Sequence, residues 1–446
     1  MKDSKLHELS KSYNTALFAS FGPDLVLRHT NFVIEISHYR FILSKLLRIS
    51  GTNCISIRSF LPDKFSGNPF YHRESNFNAA VEKLESLAAQ GYYTIINEST
   101  DDQQAFSGSV RGDVLDVVFG TTPRGVETSA NTTLPRDIGF KLLEKITNFK
   151  IPKLPRNSRI EFTILSYSTG HLKSRFLVWE QDDTKYEDSE PVRLLWPNNL
   201  SRLIGDKAFG LLVADMLKHN VPTTTCIVRD QIISPFCFGE KCGIIKNYWT
   251  RTCPKEPVPG KYDTYPYFVD PVELMCDQDP DGYDLVSCLI QGEIKAEYSG
   301  AALFSDKGEI IIEGVAGFGD EFMLGNRPAE KLPDWLIDNV HLTMNELYSA
   351  LGEVRIEWIS DITDKLYIVQ LHIGYSESNN EVIYPGDPEH WWEFNSKEGS
   401  LEDLRSLAEE AKASGFGILV NGKFGLTCHF ADVIRKAKIP AKFKEQ

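Results

Sequence analysis

The sequence predicts a multidomain protein of mixed α+β and α/β character. The chain has 446 residues, which is longer than a single hydrophobic core usually supports. In the first 190 residues, segments with helical apolar spacing alternate with short strand-like runs. Four prolines then interrupt this alternation: Pro152, Pro155, Pro191 and Pro197. The pattern therefore indicates an N-terminal α+β domain over residues 1–190, followed by further domains.

The elements of the N-terminal domain follow from the spacing of its apolar residues. Residues 34–49 predict a helix that leads into a strand over 54–58. A second helix over 78–90 stops at Gly91, and a strand over 92–97 follows it. More strands are predicted over 113–119, 159–166 and 175–180.

One stretch of this domain is repeated further along the chain. Phe106-Ser107-Gly108-Ser109-Val110, followed by residues 113–117, is similar to Tyr298-Ser299-Gly300-Ala301-Ala302, followed by residues 309–313. The similarity has two interpretations that the sequence leaves open: two structurally related halves, or two hairpins of one common type.

Composition narrows the classes of partner. The formal net charge of −14 and the pI near 5.3 argue against a global electrostatic grip on nucleic acid or an acidic membrane. The N-terminus lacks the apolar core of a signal peptide, and no apolar run reaches a membrane-spanning length. We therefore expect a cytoplasmic protein, whose eight scattered cysteines are reduced thiols.

The most informative motif lies near the C-terminus. Thr427-Cys428-His429 precedes a segment of helical pattern that carries Arg435 and is followed by Ile439-Pro440-Ala441. The pattern predicts a short helix with His429 in its first turn. A helix N-terminus presents unpaired N–H groups and a partial positive charge, so a phosphoryl group carried on a histidine there would be stabilised.

This segment resembles the phosphohistidine domain of phosphoenolpyruvate synthases and pyruvate phosphate dikinases. Further landmarks appear in the order found in that family's ATP-grasp domain: Asp206-Lys207-Ala208, Val221-Pro222, Arg251-Thr252-Cys253-Pro254, residues 259–264, residues 289–294, Ser299-Gly300, Gly317-Phe318-Gly319-Asp320, Ile356-Glu357-Trp358 and Ile368-Val369-Gln370. The resemblance implies an ATP-grasp nucleotide-binding domain over 191–375, a linker over 376–399 and a small C-terminal β/β/α phosphohistidine domain over 400–446. The remaining length does not accommodate the family's pyruvate-binding barrel, so residues 1–190 become a candidate for acceptor binding.

The resemblance also implies roles for single residues. His429 would be the covalent phosphoryl carrier, and the cations of Lys207 and Arg251 would bind the nucleotide phosphates. The other nucleotide contacts would be Gln291, Glu293 and Ile294 at the adenine hinge, and Gly317, Gly319 and Asp320 in a glycine-containing loop. Glu357 and Gln370 lie on β-rich segments around a polar turn, so a hairpin brings their oxygens to one face, and two such ligands suit Mg²⁺.

The resulting expectation is an ATP- and Mg²⁺-dependent phosphotransferase of dikinase type, acting on a small-molecule acceptor. Two alternatives remain: a nucleotide-binding regulatory or interaction protein that keeps the fold, and a phosphorelay component with a protein acceptor. The regulatory reading suits three departures from the family pattern, at His372, Glu293 and Lys438. The identity of the acceptor, the oligomeric state and the choice between ADP and AMP as product are not fixed by the sequence.

Overall fold

The computed structural model describes residues 1–62, 68–121, 131–182, 192–230, 233–240, 247–256, 261–305, 307–374, 382–396, 398–422 and 424–444. The chain divides into two compact units, residues 1–193 and 194–446, which we call unit 1 and unit 2. Each combines helices with predominantly antiparallel sheets, so the mixed α+β character is confirmed.

Unit 1 contains four helices and ten strands in its described part. The helices are α1 (Lys2–Ser12), α2 (Tyr39–Ile49), α3 (Phe77–Ala89) and α4 (Arg136–Thr147), with a 3₁₀ turn at Asp102–Gln104. The strands are β1 (Phe18–Phe21), β2 (Leu27–Thr30), β3 (Ile55–Phe60), β4 (Phe70–Glu74), β5 (Tyr93–Glu98), β6 (Phe106–Arg111), β7 (Val114–Phe119), β8 (Thr132–Pro135), β9 (Arg159–Thr169) and β10 (Ser174–Asp182). They form two sheets, ordered β2-β1-β5-β3-β4 and β10-β9-β6-β7-β8.

The predicted elements of unit 1 are confirmed, with one shifted boundary. The strands β3, β5, β7, β9 and β10 and the helix α3 lie where the apolar spacing places them. The helix expected from residue 34 begins instead at Tyr39, because the His38 side chain caps it by accepting from the Arg40 N–H at 3.4 Å. The helices α2 and α3 cover one face of the first sheet, where their apolar stripes pack on Ile55, Ile57 and Ile96.

Unit 2 contains seven helices and thirteen strands in its described part. The helices are α5 (Asn199–Ile204), α6 (Asp206–Met216), α7 (Pro271–Gln278), α8 (Asp320–Met323), α9 (Asp334–Leu351), α10 (Leu401–Ser414) and α11 (His429–Ala437). The strands are β11 (Thr224–Val228), β12 (Phe236–Phe238), β13 (Tyr248–Pro254), β14 (Thr264–Tyr265), β15 (Leu285–Gly292), β16 (Ala296–Phe304), β17 (Ile310–Ala316), β18 (Val354–Asp361), β19 (Leu366–Ile373), β20 (Val382–Tyr384), β21 (Trp391–Asn395), β22 (Gly417–Asn421) and β23 (Ala441–Phe443). None of the described helices combines the length and the apolar character needed to cross a membrane.

The first two sheets of unit 2 have the same strand order as those of unit 1. The order β12-β11-β15-β13-β14 repeats β2-β1-β5-β3-β4, and β17-β16-β18-β19 repeats β7-β6-β9-β10. Every neighbouring pair in these sheets is antiparallel in both units. Of the two interpretations of the repeated Ser-Gly hairpin, the structure therefore favours two structurally related halves.

The remaining sheet of unit 2 has the order β20-β23-β22-β21 and belongs to the C-terminal domain. Its three strands β21, β22 and β23 are parallel, while β20 is antiparallel to β23. Two of these strands come from the predicted linker, so the expectation of a linker over 376–399 is wrong for residues 382–384 and 391–395. Ile383 and Phe394 are buried in the domain's core, which explains why this segment is ordered. Residues 375–381 lie outside the described part.

Candidate active site

A cleft lies between the two antiparallel sheets of unit 2. Its walls come from β13 and β15 on one side and from β16, β18 and β19 on the other; the lining residues are Pro222, Trp249, Arg251, Gln291, Gly292, Ile294, Ser299, Gly300, Phe318, Gly319, Asp320, Met323, Glu357, Trp358, Ile359 and Val369. The cleft encloses about 590 Å³, part of which is open to solvent.

Six of the residues predicted from the sequence line this cleft together: Arg251, Gln291, Ile294, Gly319, Asp320 and Glu357. They are separated by up to about a hundred residues along the chain, and the two sheets bring them to one place. Four of the predicted nucleotide and metal contacts are not part of the lining: Lys207, Glu293, Gly317 and Gln370.

These four residues have defined contacts or positions outside the lining. The Gly317 carbonyl accepts a hydrogen bond from Ser299 Oγ at 2.6 Å, which fixes the loop that continues to Gly319. The Glu293 carboxylate accepts from the Asn247 amide at 2.6 Å, outside the lining. Lys207 is the second residue of α6, and Gln370 lies opposite Glu357 on β19.

Arg251 combines a positive charge with an unsatisfied donor. Its guanidinium lies over the Trp249 ring at 5.8 Å, and Nη1 donates to the Val369 carbonyl at 3.5 Å. Its Nε is buried and has no hydrogen-bond partner among the described residues. A buried N–H donor of a charged group is costly to leave unpaired, so the site suits an anionic ligand that accepts from it.

Lys207 adds a second cation near the same place. Desolvation lowers the pKa of its ammonium group, and the neighbouring Arg251 charge acts in the same direction, while Glu357 and Asp206 oppose them. Burial likewise lowers the pKa of Arg251, although Glu357 and Asp320 favour its charged form. These mutual effects place Lys207, Arg251 and Glu357 in one electrostatic cluster.

Glu357 and Gln370 form a cross-strand pair in the register of β18 and β19, as the hairpin prediction requires. Carboxylate and amide oxygens are hard ligands that suit Mg²⁺. The His372 Nε2 lies 3.2 Å from the Gln370 amide oxygen. The other ring nitrogen, Nδ1, lies 2.9 Å from Asp206 Oδ2, so His372 connects the start of α6 to the candidate metal-ligand pair.

His429 is the first residue of α11, and Cys428 occupies the N-cap position. The imidazole Nδ1 is buried without a hydrogen-bond partner in the described part and lies 3.9 Å from Asp432 Oδ2, while about a quarter of the side chain (23%) is exposed. The accessible part of the ring is therefore on the Nε2 side. Burial raises the pKa of the Cys428 thiol to about 12, so this neighbour stays protonated.

The Asp432 carboxylate organises the surroundings of His429. It forms ion pairs with Arg355 on β18 and with Arg435, the latter at 2.6 Å. Burial raises the pKa of Asp432, but the two guanidinium groups outweigh this effect and hold it well below its usual range. The carboxylate is therefore ionised, and its negative charge faces the Nδ1 side of the imidazole.

The loop before His429 is fixed to the sheet that lines the cleft. Glu313 on β17 accepts hydrogen bonds from the Leu426 N–H at 3.2 Å, from the Thr427 N–H at 2.9 Å and from Thr427 Oγ1 at 2.8 Å. Arg355 donates to the Thr427 carbonyl at 2.7 Å. These contacts hold residues 424–428 against β17 and β18, and we call this segment the carrier loop after the role proposed for His429 below.

Glu313 and the candidate metal ligands lie in one row across the sheet. Glu313 pairs with Ala301, Ala301 pairs with Glu357, and Glu357 pairs with Gln370. Directly paired residues of antiparallel strands share a face, so Glu313 and Glu357 project to the same side. The carrier loop is thus bound to the sheet face from which Glu357 reaches the cleft.

Sequence reasoning missed the residues that join the two parts. Glu313, Arg355 and Asp432 are charged residues whose partners are far away in sequence, and single-sequence patterns carry little information on such contacts. The available signals were weak: Arg355 immediately precedes the Ile356-Glu357-Trp358 landmark, and Glu313 closes the repeated hairpin segment.

Comparisons with known proteins give fold-level likenesses of low quality. No protein-family model matches the sequence, and no curated protein matches it. Among solved structures, D-alanine-D-alanine ligase from Helicobacter pylori is 12% identical, with a TM-score of 0.27 over 38% of this chain and 51% of that one. A RiPP-associated ATP-grasp ligase from Chryseobacterium gregarium, in complex with ADP and a leader and core peptide, is 12% identical, with a TM-score of 0.24 over 55% of this chain and 63% of that one.

An L-amino acid ligase from Bacillus licheniformis is 13% identical, with a TM-score of 0.25 over 38% of this chain and 40% of that one. The chain spans roughly half the length of the solved structures that it matches. At these scores the likenesses carry no argument about substrate or reaction, and the functional conclusion depends on the geometry of the site.

Proposed function

We propose that this protein is an ATP- and Mg²⁺-dependent phosphotransferase of dikinase type, in which unit 2 is an ATP-grasp module and His429 is the phosphoryl carrier. The observation that carries the proposal is the shared sheet face. One cross-strand row presents Glu357 to the cleft and, through Glu313, binds the loop that ends at His429. A nucleotide site and a histidine at a helix N-terminus are thereby joined in one unit.

The described residues fit both ligands of the proposed reaction, a nucleotide and Mg²⁺. The buried Nε of Arg251 would donate to a phosphate oxygen, and Lys207 would add positive charge nearby. Glu357 and Gln370 would hold Mg²⁺, which supplies further neutralisation of phosphate charge when bound. For Gln370 to ligate, its amide oxygen must exchange the His372 contact for the metal.

The transfer step assigns the proton and the electron pair to named atoms. The Nε2 lone pair of His429 forms a P–N bond as the P–O bond to the nucleotide breaks, and the departing phosphate oxygen keeps the electron pair of that bond. Nδ1 keeps its proton, and the Asp432 carboxylate stabilises the positive charge that develops on the ring. The phosphoryl group then lies at the first turn of α11, where the helix N-terminus favours negative charge.

We further propose that the acceptor is a small molecule and that a dikinase cycle releases AMP. One phosphoryl group then reaches the acceptor and the other leaves as inorganic phosphate, with water as the second acceptor. Loss of ATP with AMP formation in the absence of any protein partner supports this reading. ADP as the sole nucleotide product contradicts the dikinase assignment, and turnover that requires an added protein favours a phosphorelay component.

Labelling with ATP tests the carrier directly. We expect acid-labile, base-stable label on the full-length protein, and none on His429→Ala, with nucleotide binding nearly unchanged. His341→Ala is the matched control, because His341 lies exposed on α9 away from the cleft. Label that persists in His429→Ala places the carrier elsewhere. A protein that binds ATP without ever becoming labelled favours a regulatory role.

A further inference from the structure

We propose that unit 1 contains a second binding site, for a polyphosphate chain held with a divalent cation. The site lies at the positions that correspond to the candidate active site of unit 2: Glu161, Glu180 and Arg58 occupy the places of Glu357, Gln370 and Arg251. This inference goes beyond the proposed function, because no motif in residues 1–190 predicted a ligand there. It is carried by the strand registers of each unit.

The correspondence in the second sheet is set by the repeated hairpin. Gly108 pairs with Phe162 in unit 1, and Gly300 pairs with Trp358 in unit 2. Each glycine leaves room for the aromatic ring opposite, since an added Cβ would lie 2.5 Å from Phe162 Cζ or 2.7 Å from Trp358 Cζ2. The next residue back along the opposing strand is therefore equivalent in the two units, and Glu161 corresponds to Glu357.

The neighbouring strand repeats an irregularity at the same point. Phe162 pairs with Val178 and Glu161 with Glu180, so Trp179 is skipped. In unit 2 Trp358 pairs with Ile368 and Glu357 with Gln370, so Val369 is skipped. A bulge re-aims the side chains that follow it and depends on local backbone geometry. Its repetition places Glu180 at the position of Gln370.

The first sheet is aligned by an asparagine that joins it to the second. The Asn14 carbonyl accepts from the Val178 N–H at 2.9 Å, and its amide donates to the Phe176 carbonyl at 3.0 Å. Asn220 makes the same two contacts with Ile368 and Leu366, at 2.8 and 3.0 Å.

In each unit, the residue four positions after this asparagine lies on the first strand of the sheet, β1 or β11. Its cross-strand partners on β5 and β15 are therefore equivalent. Phe18 pairs with Asn97, and Thr224 pairs with Gln291. Two residues earlier on β5 and β15, Ile95 pairs with Arg58, and Leu289 pairs with Arg251. Arg58 therefore corresponds to Arg251, and Asn97 corresponds to Gln291, which lines the cleft of unit 2.

The loop that follows the hairpin begins in the same way in both units, with a glycine of positive φ that donates a backbone hydrogen bond. The Gly120 N–H donates to the Ala105 carbonyl at 3.0 Å, with φ of +76°. The Gly317 N–H donates to the Glu297 carbonyl at 2.7 Å, with φ of +78°. In unit 1 Ser107 Oγ donates to the carbonyl of Thr121, the residue after Gly120, at 2.8 Å. In unit 2 Ser299 Oγ donates to the carbonyl of Gly317 itself.

An unsatisfied polar atom in unit 1 points independently to a ligand. Asn97 is 4% exposed, and its Oδ1 has no hydrogen-bond partner in the described part of the chain. Arg58 and Asn97 lie on the sheet face opposite to Ile57 and Ile96, which pack against the helices α2 and α3. Arg58 on this face meets Trp179 of the second sheet, with its guanidinium 5.8 Å from the ring centroid.

The two sites differ in ways that restrict the ligand. Glu98 stands where unit 2 has Gly292, and its carboxylate accepts from the N–H groups of Leu17 and Gly170 at 2.9 Å and from Thr169 Oγ1 at 3.0 Å. The nucleobase end of the unit 2 cleft is thus altered at Glu98, whereas Arg58, Glu161 and Glu180 keep the positions of Arg251, Glu357 and Gln370. Glu161 also pairs with Arg159 at 2.6 Å, so a bound cation must compete with this guanidinium.

The test counts bound Mn²⁺ on the full-length protein by electron paramagnetic resonance, with tripolyphosphate in one arm and a non-hydrolysable ATP analogue in the other. With tripolyphosphate we expect two ions per chain in the wild type and one in each of Glu161→Gln and Glu357→Gln. Asp24→Asn, an exposed carboxylate of unit 1, is the matched control and should keep both ions. With the ATP analogue we expect one ion, lost in Glu357→Gln, because the nucleobase end is altered in unit 1.

The outcomes separate this inference from the proposed function. A wild type that binds a single ion with tripolyphosphate, lost only in Glu357→Gln, overturns the second site and leaves the unit 2 site intact. Loss only in Glu161→Gln contradicts the metal site of the proposed function instead. Two ions with the ATP analogue would show that the unit 1 site also accepts a nucleotide. That result would overturn the restriction of its ligand to a polyphosphate chain. A count of two ions in the wild type supports both sites without any variant, and a count of one is assigned to unit 1 or unit 2 by the two variants.

Discussion

Replacing Glu313 by Gln tests whether the carrier loop must be bound to the sheet for phosphorylation. The carboxylate accepts three hydrogen bonds from Leu426 and Thr427, whereas a glutamine offers one acceptor oxygen and turns its amide group toward the remaining donors. Hydrogen bonds to a charged group contribute about 1.5–3 kcal/mol each. Losing the equivalent of one such bond shifts the docking equilibrium by about 10- to 150-fold.

Two measurements follow this change. Amide hydrogen exchange at Leu426 and Thr427 should accelerate in Glu313→Gln, and the initial rate of His429 labelling should fall if docking is required for loading. Glu309→Gln is the control, because Glu309 is exposed just before β17 and does not contact the carrier loop. Unchanged exchange at both amides would refute the role given to Glu313. Faster exchange with normal labelling would show that loading does not depend on this dock.

Three further predictions concern the site. Glu357→Gln should raise the Mg²⁺ requirement and slow His429 labelling by at least about 100-fold, since metal-based charge stabilisation is worth several kcal/mol; an unchanged Mg²⁺ titration would return Glu357 to a surface role. The pKa of Asp432 is depressed in the folded state, so its ionised form stabilises the protein above its unfolded pKa and this contribution is lost as pH falls. The free energy of unfolding should therefore drop less steeply below about pH 5 in Asp432→Asn than in the wild type, as measured by urea unfolding, and parallel curves would contradict the ion pairs with Arg355 and Arg435. Because burial raises the pKa of Cys428 to about 12, iodoacetamide at pH 8 should modify the exposed Cys276 first, as followed by peptide mass spectrometry, and equal rates would contradict the buried N-cap.

Features that depend on local sequence were largely predictable. The helix that begins at His429, five strands of unit 1 (β3, β5, β7, β9 and β10) and the pairing of Glu357 with Gln370 follow from apolar spacing, turn residues and caps. The strands at 382–384 and 391–395 were missed because short strands among Pro, Gly, Asp and Asn have the composition of a loop. Their stability comes from burial of Ile383 and Phe394 against distant residues.

Contacts between distant charged residues were not predictable from one sequence. Arg355 and Asp432 are 77 positions apart, and nothing in either segment identifies the partner. The relation between the two units was visible only in the Ser-Gly hairpins, because the remaining equivalences lie in strand register and in a bulge rather than in residue identity. The sequence comparison of the two hairpins aligns Val117 with Glu313. The strand registers align Val117 with Gly314 instead.

Arg355 on β18 connects the sheet that lines the cleft to the segment that contains His429. Arg355 is held by Asp432 and by the Thr427 carbonyl, although it lies on the same strand face as Glu357. Unit 1 illustrates the other arrangement, in which Arg159 turns to the glutamate two residues ahead of it and neutralises it. In the proposed cycle, movement of α11 away from the sheet would remove both partners of Arg355. The same turn toward Glu357 would then compete with a metal ion for that carboxylate.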